Sequence, residues 1–584
     1  MKALRYLNKY FLKYKFRLLL GILITVCSKI FALQVPQLIR ESVNAAEDYK
    51  NGVLTDIGLV KSDLLDNILL IIGAALLSGF FTFLMRQTLI VMSRLIEFDL
   101  KNEIYKQYQK LSLNFYKKNQ TGDLMNRISE DVSKVRMYFG PAIMYSINML
   151  VLFIVAIIKM YKIDSTLTNY TLLPLPILSL SIYFLSRIIN KRSTIVQLYL
   201  SKLTANAQET FSGISILKSY GIEYKAMSEF GTLADTTKSK NINLFKAQAL
   251  FFPAMILLIG LSNILVIYIG GIRYIEGHIP LGVVAEFIIY INMLTWPVAV
   301  VGWVTSIIQQ AEASQKRINE FLKHQPEIVN QTLKETPVKG NIEFRNVSFT
   351  YDDTNITALK KLSFNIKEGE TLAILGNTGS GKSTIISLIA RLYDVETGGI
   401  YIDRIPIKDL NLNDLRKTIG YVPQESFLFS DSIKNNIKFG KENATDEEIE
   451  KAAKDAYIHH NIVDFNEGFE TLVGERGVTL SGGQKQRISI ARAIIKNPNI
   501  LIFDDCLSAV DTETEEIILN NLYTISKNKT TIIVSHRVSS VKNADKIIVI
   551  DNGALIQEGT HNELINLEGY YKELYEQQLL EKEI

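Results

Sequence analysis

The stretch LAILGNTGSGKSTIISLIARL sets Gly376, Asn377, Thr378, Gly379, Ser380, Gly381, Lys382, Ser383 and Thr384 between a short apolar run and a helical pattern. The spacing G-x-x-x-x-G-K-[ST], in a strand–loop–helix setting, belongs to a loop that wraps phosphate oxygens in backbone N–H groups. Glycines let the chain close around the phosphates, and the helix N-terminus adds its positive end. Lys382 is expected to reach the β- and γ-phosphates, and Ser383 to ligate Mg²⁺. Further on, ILIFDD carries Asp504 and Asp505 out of an apolar strand into solvent. An ATPase built on such a loop needs an acid at the end of a neighbouring strand to hold the metal, and Asp504 fits that position. A solvated acid pair capping the next helix would account for the acids but not for the strand before them. ATP and Mg²⁺ are the ligands these residues call for.

The elements behind this chemistry occupy only part of a chain of 584 residues, too long for one core. GNIEFRNVSFTY alternates as a strand does and opens an α/β domain expected over residues 341–584. A polar linker, QTLKETPVKG, falls within 326–340, and residues 1–325 have a different character. Apolar runs at 18–39, 68–92, 141–158, 167–185, 250–269 and 281–308 are each long enough to cross a hydrocarbon core as a helix. So many runs in one half argue against buried helices of a soluble domain. The predicted fold class is therefore an all-α membrane domain of six helices followed by a phosphate-loop α/β domain.

Charge placement orients the spans. The basic, aromatic N-terminus MKALRYLNKYFLKYKFR suggests a short amphipathic helix at the cytosolic face. Residues 41–66 hold six acids and two lysines and should face out. The long, Lys/Arg-rich connections 101–136 and 187–246 should lie inside, as should both termini. Lys29, Arg86 and Glu286 fall in or near spans, so they either face a cavity or mark span edges. Lys159 reads as an interfacial residue. The net charge of +4 is too small to imply nucleic-acid binding. Cys27 and Cys506, the two cysteines, suggest neither a disulfide nor a metal cluster.

Between the phosphate loop and the acid pair lies VTLSGGQKQRISIARA. With this segment the chain resembles the ATP-binding cassette (ABC) transporters of exporter type, over nearly its whole length. The resemblance implies a half-transporter of the bacterial cytoplasmic (inner) membrane, whose two nucleotide domains dimerise head to tail. Each ATP would be sandwiched between one phosphate loop and the partner's LSGGQ, here Leu480, Ser481, Gly482, Gly483 and Gln484. It further implies adenine stacking on Tyr351, metal and water contact by Gln424, a γ-phosphate contact by His536, and an interface role for Asp511. VGERG (473–477) resembles a segment contacting the partner's loops, and FYKKNQTGDLMNRISED and ETFSGISILKSYGIE resemble the two cytosolic coupling loops.

One departure matters. Most of the family carries Glu after the metal-binding Asp, as the base that polarises the attacking water; this chain has Asp505. One methylene fewer retracts the carboxylate by about 1.5 Å. Misplacement by about 1 Å can cost on the order of a hundredfold in rate, or roughly 2.7 kcal/mol. The pattern resembles one half of a heterodimer with a slow site, this chain's intact LSGGQ serving the partner's ATP. The alternatives are a largely non-hydrolysing ATP-binding subunit, a homodimer with a slower working base, and an ATP-gated channel. Sparse charge in the spans favours an amphiphilic or apolar small-molecule or lipid cargo, with membrane lipids as neighbours.

Overall fold

The structure is a computed structural model that describes residues 2–474, 477, 480–506 and 512–583. The chain forms two compact units, one of Met1–Gln109 and Gly122–His324, the other of Lys110–Thr121 and Gln325–Ile584.

Among the described residues six helices are long and apolar enough to cross a membrane: α1 (Lys15–Lys50), α2 (Ile57–Lys110), α3 (Thr121–Ile163), α4 (Ser165–Ser212), α5 (Glu223–Ile275) and α6 (Leu281–Leu322). They agree in number with the six apolar runs but are far longer, because helix continues beyond each run into polar residues. Prolines explain the breaks in two of them. Pro36 has no N–H and clashes with the carbonyl four residues earlier, and α1 is broken at Leu33. Pro174 likewise follows a break in α4 at Leu173. Pro297 lies within α6.

Polar staples fix this bundle. The nearly fully buried Glu286 of α6 pairs with Arg40 of α1 at 2.9 Å and accepts from the Tyr290 hydroxyl at 2.7 Å. Lys159 of α3 donates to the Leu33 carbonyl at 2.8 Å, at the point where α1 breaks. Asp131 accepts from Ser314 at 2.8 Å and pairs with Arg317, tying α3 to α6. Arg86 is exposed on α2.

In the second unit, β3 (Thr371–Leu375), β6 (Ile419–Val422), β7 (Ile500–Asp504), β8 (Thr530–Val534), β9 (Lys546–Asp551) and β10 (Ala554–Gly559) form one sheet, ordered β10-β9-β3-β8-β7-β6. All its pairings are parallel except β9–β10. Strands β3, β7 and β8 are buried along their whole length, as continuous apolar runs packed on both faces require. An antiparallel sheet of β1 (Ile342–Tyr351), β2 (Ile356–Ile366), β4 (Thr397–Ile402) and β5 (Ile405–Pro406) packs beside it.

Candidate nucleotide site

Register decides what meets at the end of the parallel sheet. Val534 of β8 pairs with Ile374 of β3 on one side and with Asp504 of β7 on the other. Val422 of β6 pairs with Phe503 of β7. Four strands thus finish level, and the residues just beyond them gather at one edge: the phosphate loop after β3, Asp505 after β7, His536 after β8 and Gln424 after β6. Ligands of open α/β sheets bind at this carboxyl edge.

The loop itself is shaped by glycine. Gly376, Gly379 and Gly381 have φ of 150°, 82° and 105°. A Cβ on Gly376 would collide with the Ile550 carbonyl oxygen, and one on Gly381 with that of Ala358, so neither could carry a side chain without moving backbone. Helix α7 (Lys382–Ile389) starts at the loop's end. Lys382 Nζ donates to the carbonyls of Gly376 (2.7 Å) and Asn377 (2.8 Å), lying along the loop it would share with phosphates. Burial pulls its ammonium down, opposed by the charges of Asp505 and Asp504. Ser380 Oγ is buried without a hydrogen-bond partner among the described residues, an orphan in the wall of the cradle.

Ser383 Oγ donates to Asp504 Oδ1 at 3.2 Å, so the hydroxyl and carboxylate proposed as metal ligands already face one another. Burial pushes the Asp504 carboxyl up; Asp505 adds to this and the Ser383 hydrogen bond opposes it. Asp505 sits at φ 46°, a left-handed turn that ends β7 and aims its carboxylate away from the strand. Its Oδ1 is 2.9 Å from His536 Nδ1, and its Oδ2 accepts from Gln424 Nε2 at 3.4 Å. The donor set, glycine cradle and orphaned hydroxyl fit a nucleoside triphosphate with a hard divalent cation.

Tyr351 ends β1, and its hydroxyl lies 3.0 Å from Thr384 Oγ1, so both side chains are tied to each other. Lys117 Nζ stands 4.3 Å from the centre of the Tyr351 ring and 5.2 Å from that of Tyr393, a cation–π arrangement. Lys117 belongs to the short helix Leu113–Lys118, whose Asn114 donates to Glu327 and Asp352. Sequence reasoning placed this stretch in a cytosolic loop but missed Lys117 and Tyr393, because nothing in the local pattern sets its register against β1. It also missed Tyr570, whose hydroxyl donates to Asn377 Oδ1 at 3.0 Å.

LSGGQ starts helix α8 (Gly482–Ile494) through a capping box: Gln484 N donates to Ser481 Oγ and Ser481 N to Gln484 Oε1. The Gln484 side chain is thereby engaged at its own helix terminus. Asp511 lies outside the described residues, as do Glu475 and Arg476 of VGERG.

Comparison with known proteins agrees with this geometry. Residues 18–298 match the family model for the ABC transporter transmembrane region, and residues 359–508 that for the ABC transporter. The chain is 35% identical over 583 residues to a probable multidrug resistance ABC transporter ATP-binding/permease protein, YheI, of Bacillus subtilis, covering 99% of this chain and 98% of that one. It is 38% identical over 485 residues to the multidrug resistance-like ATP-binding protein MdlA of Escherichia coli, covering 83% and 82% respectively. Among solved structures, a bacterial Atm1-family ABC exporter with ATP bound superposes with a TM-score of 0.80 at 26% identity, over 97% of this chain and 98% of that one.

Proposed function

Because this chain belongs to the ABC transporter family, as an exporter fusing a membrane domain to a nucleotide-binding domain, we propose that it expels an amphiphilic or apolar compound as half of a heterodimer. It is a multi-pass protein of the cytoplasmic membrane and an ATPase coupled to transport. The phosphate loop 376–384 holds the triphosphate, and Lys382 turns from its own loop carbonyls to the phosphates. Ser383, Asp504 and Gln424 hold Mg²⁺, which when bound neutralises charge on the phosphates. Tyr351 offers adenine one face of its ring. Ser481 and Gly483, at the N-terminus of α8, serve the partner's ATP.

The observation that carries this reading is the cluster of Asp505, His536 and Gln424 at the ends of β7, β8 and β6. These three groups position water for attack, yet the carboxylate among them is one methylene short. A partner is supported by the second cytosolic loop, where Phe211, Tyr220 and Tyr224 are 73%, 77% and 88% exposed, an apolar tip that needs a cover. ATP binding closes the paired nucleotide domains through its greater affinity for the closed state. Closure opens the bundle outward, and hydrolysis resets it.

The test is purification of the tagged chain from its own cells. A second half-transporter with Glu after its metal-binding Asp and an altered signature should co-purify in equal amount. A complex of two identical chains contradicts the heterodimer.

A further inference from the structure

We propose that the membrane domain carries a charge-selective cargo site, in which Lys29 binds the anionic group of an aromatic amphiphile held between Tyr145, Trp296 and Trp303. This rests on the exporter reading above and narrows its cargo class. Two cavities of 220 Å³ and 360 Å³ share Tyr145, Trp296 and Val300 as walls. The larger is lined almost wholly by aromatic and aliphatic side chains, including Phe252 and Trp303; the smaller adds Lys29 and Asn148. Both tryptophans of the chain are here, large rings that the rest of this chain leaves 65% and 46% uncovered. Pro297, on the cavity wall, lies within the continuous helix α6 and contributes no backbone N–H there.

Lys29 stands fourteen residues into α1, about 21 Å along the helix from Lys15. At that depth an ammonium group is costly unless something of opposite charge meets it. No carboxylate pairs with it among the described residues. The buried Glu286 is already held by Arg40 and Tyr290, and Asp164 by Arg273. A second polar group faces the same space: Asn148 Oδ1, on the smaller cavity, is buried without a hydrogen-bond partner among the described residues and, as an acceptor, takes an N–H or O–H of a ligand rather than its anionic group. A cation beside an aromatic chamber matches a molecule with a carboxylate or sulfonate at one end and a ring system at the other. A cationic amphiphile would instead place like charge against Lys29.

The tryptophans supply the readout. Full-length protein in lipid nanodiscs is titrated with pyrenebutyrate, its neutral alcohol pyrenebutanol and the cationic pyrenebutyl-trimethylammonium, following quenching of tryptophan emission. The native chain should bind the anion about tenfold more tightly than the cation. Lys29→Met should bring the two within about twofold, and Lys29→Arg should keep the preference, which separates loss of charge from misfolding. Equal binding by the native chain, or an undiminished preference in Lys29→Met, overturns the proposal. So does absence of quenching by any probe, as when a second copy of the chain closes the aromatic walls. ATP-driven uptake of the same probes into inside-out vesicles separates the two readings: uptake without charge preference defeats the Lys29 site alone, while no uptake of any probe defeats the cargo class too.

Discussion

His536 Nδ1 and Asp505 Oδ1 are 2.9 Å apart, joining the end of β8 to the turn after β7. The imidazole holds the shortened carboxylate in one orientation, and Gln424 holds its other oxygen. If this pair positions the attacking water, His536→Ala should lower the remaining ATP hydrolysis at least tenfold while KM stays within about threefold, the signature of an interaction made in the transition state. A rise in KM with an unchanged turnover number would show that His536 only binds nucleotide.

Asp504 tests the metal. Burial raises its carboxyl, so this group favours the fold at low pH and loses that advantage as pH climbs through its folded-state value. At neutral pH its charge works against the nucleotide-free protein. Asp504→Asn should therefore raise the unfolding temperature without nucleotide, yet abolish the further rise given by Mg²⁺ and ATP. Removing Mg²⁺ with a chelator should erase the same ligand-dependent rise in the native chain. A variant still stabilised normally by Mg²⁺ and ATP contradicts the assignment.

The glycines of the cradle should not be equivalent. Gly379 faces open space, so Gly379→Ala bears only the left-handed backbone cost, about 1–2 kcal/mol. Gly381→Ala adds a collision with the Ala358 carbonyl and should cost more and abolish ATP binding. Thermal unfolding and nucleotide titration of the two variants check the order.

In the membrane domain, Glu286→Gln leaves Arg40 facing a buried neutral group. Arg40 keeps some solvent contact, so the loss should be about 2 kcal/mol, smaller than for a fully buried pair. Replacing both by methionine should recover most of it. A double variant as unstable as the single one would contradict that account.

The site is legible in the sequence wherever chemistry and strand pattern coincide. Lys382 and Asp504 announce themselves by motif, and the all-apolar runs before them mark parallel strands that finish together. His536 follows such a strand too. What escapes is register between distant segments: Lys117 lies over Tyr351, more than two hundred residues away in sequence, and no local signal pairs them. The LSGGQ capping box is readable as S-x-x-Q, and the same residues form the helix N-terminus that suits an anion. The six spans were legible in hydropathy, whereas the length of their helices was not, because charged residues continue a helix without leaving an apolar trace. Lys29 stands out in the sequence as a costly charge; only the tertiary structure places aromatic walls around it.

The central claim is that Asp505 makes this an ATP-binding site with a retracted base. Steady-state ATP hydrolysis by the native chain, purified alone in lipid, is compared with that of Asp505→Glu. The account predicts a nearly inert native chain and a gain of about tenfold or more in the variant. Ordinary turnover by the native chain, little changed by Asp505→Glu, would contradict it and make the protein a self-sufficient homodimer.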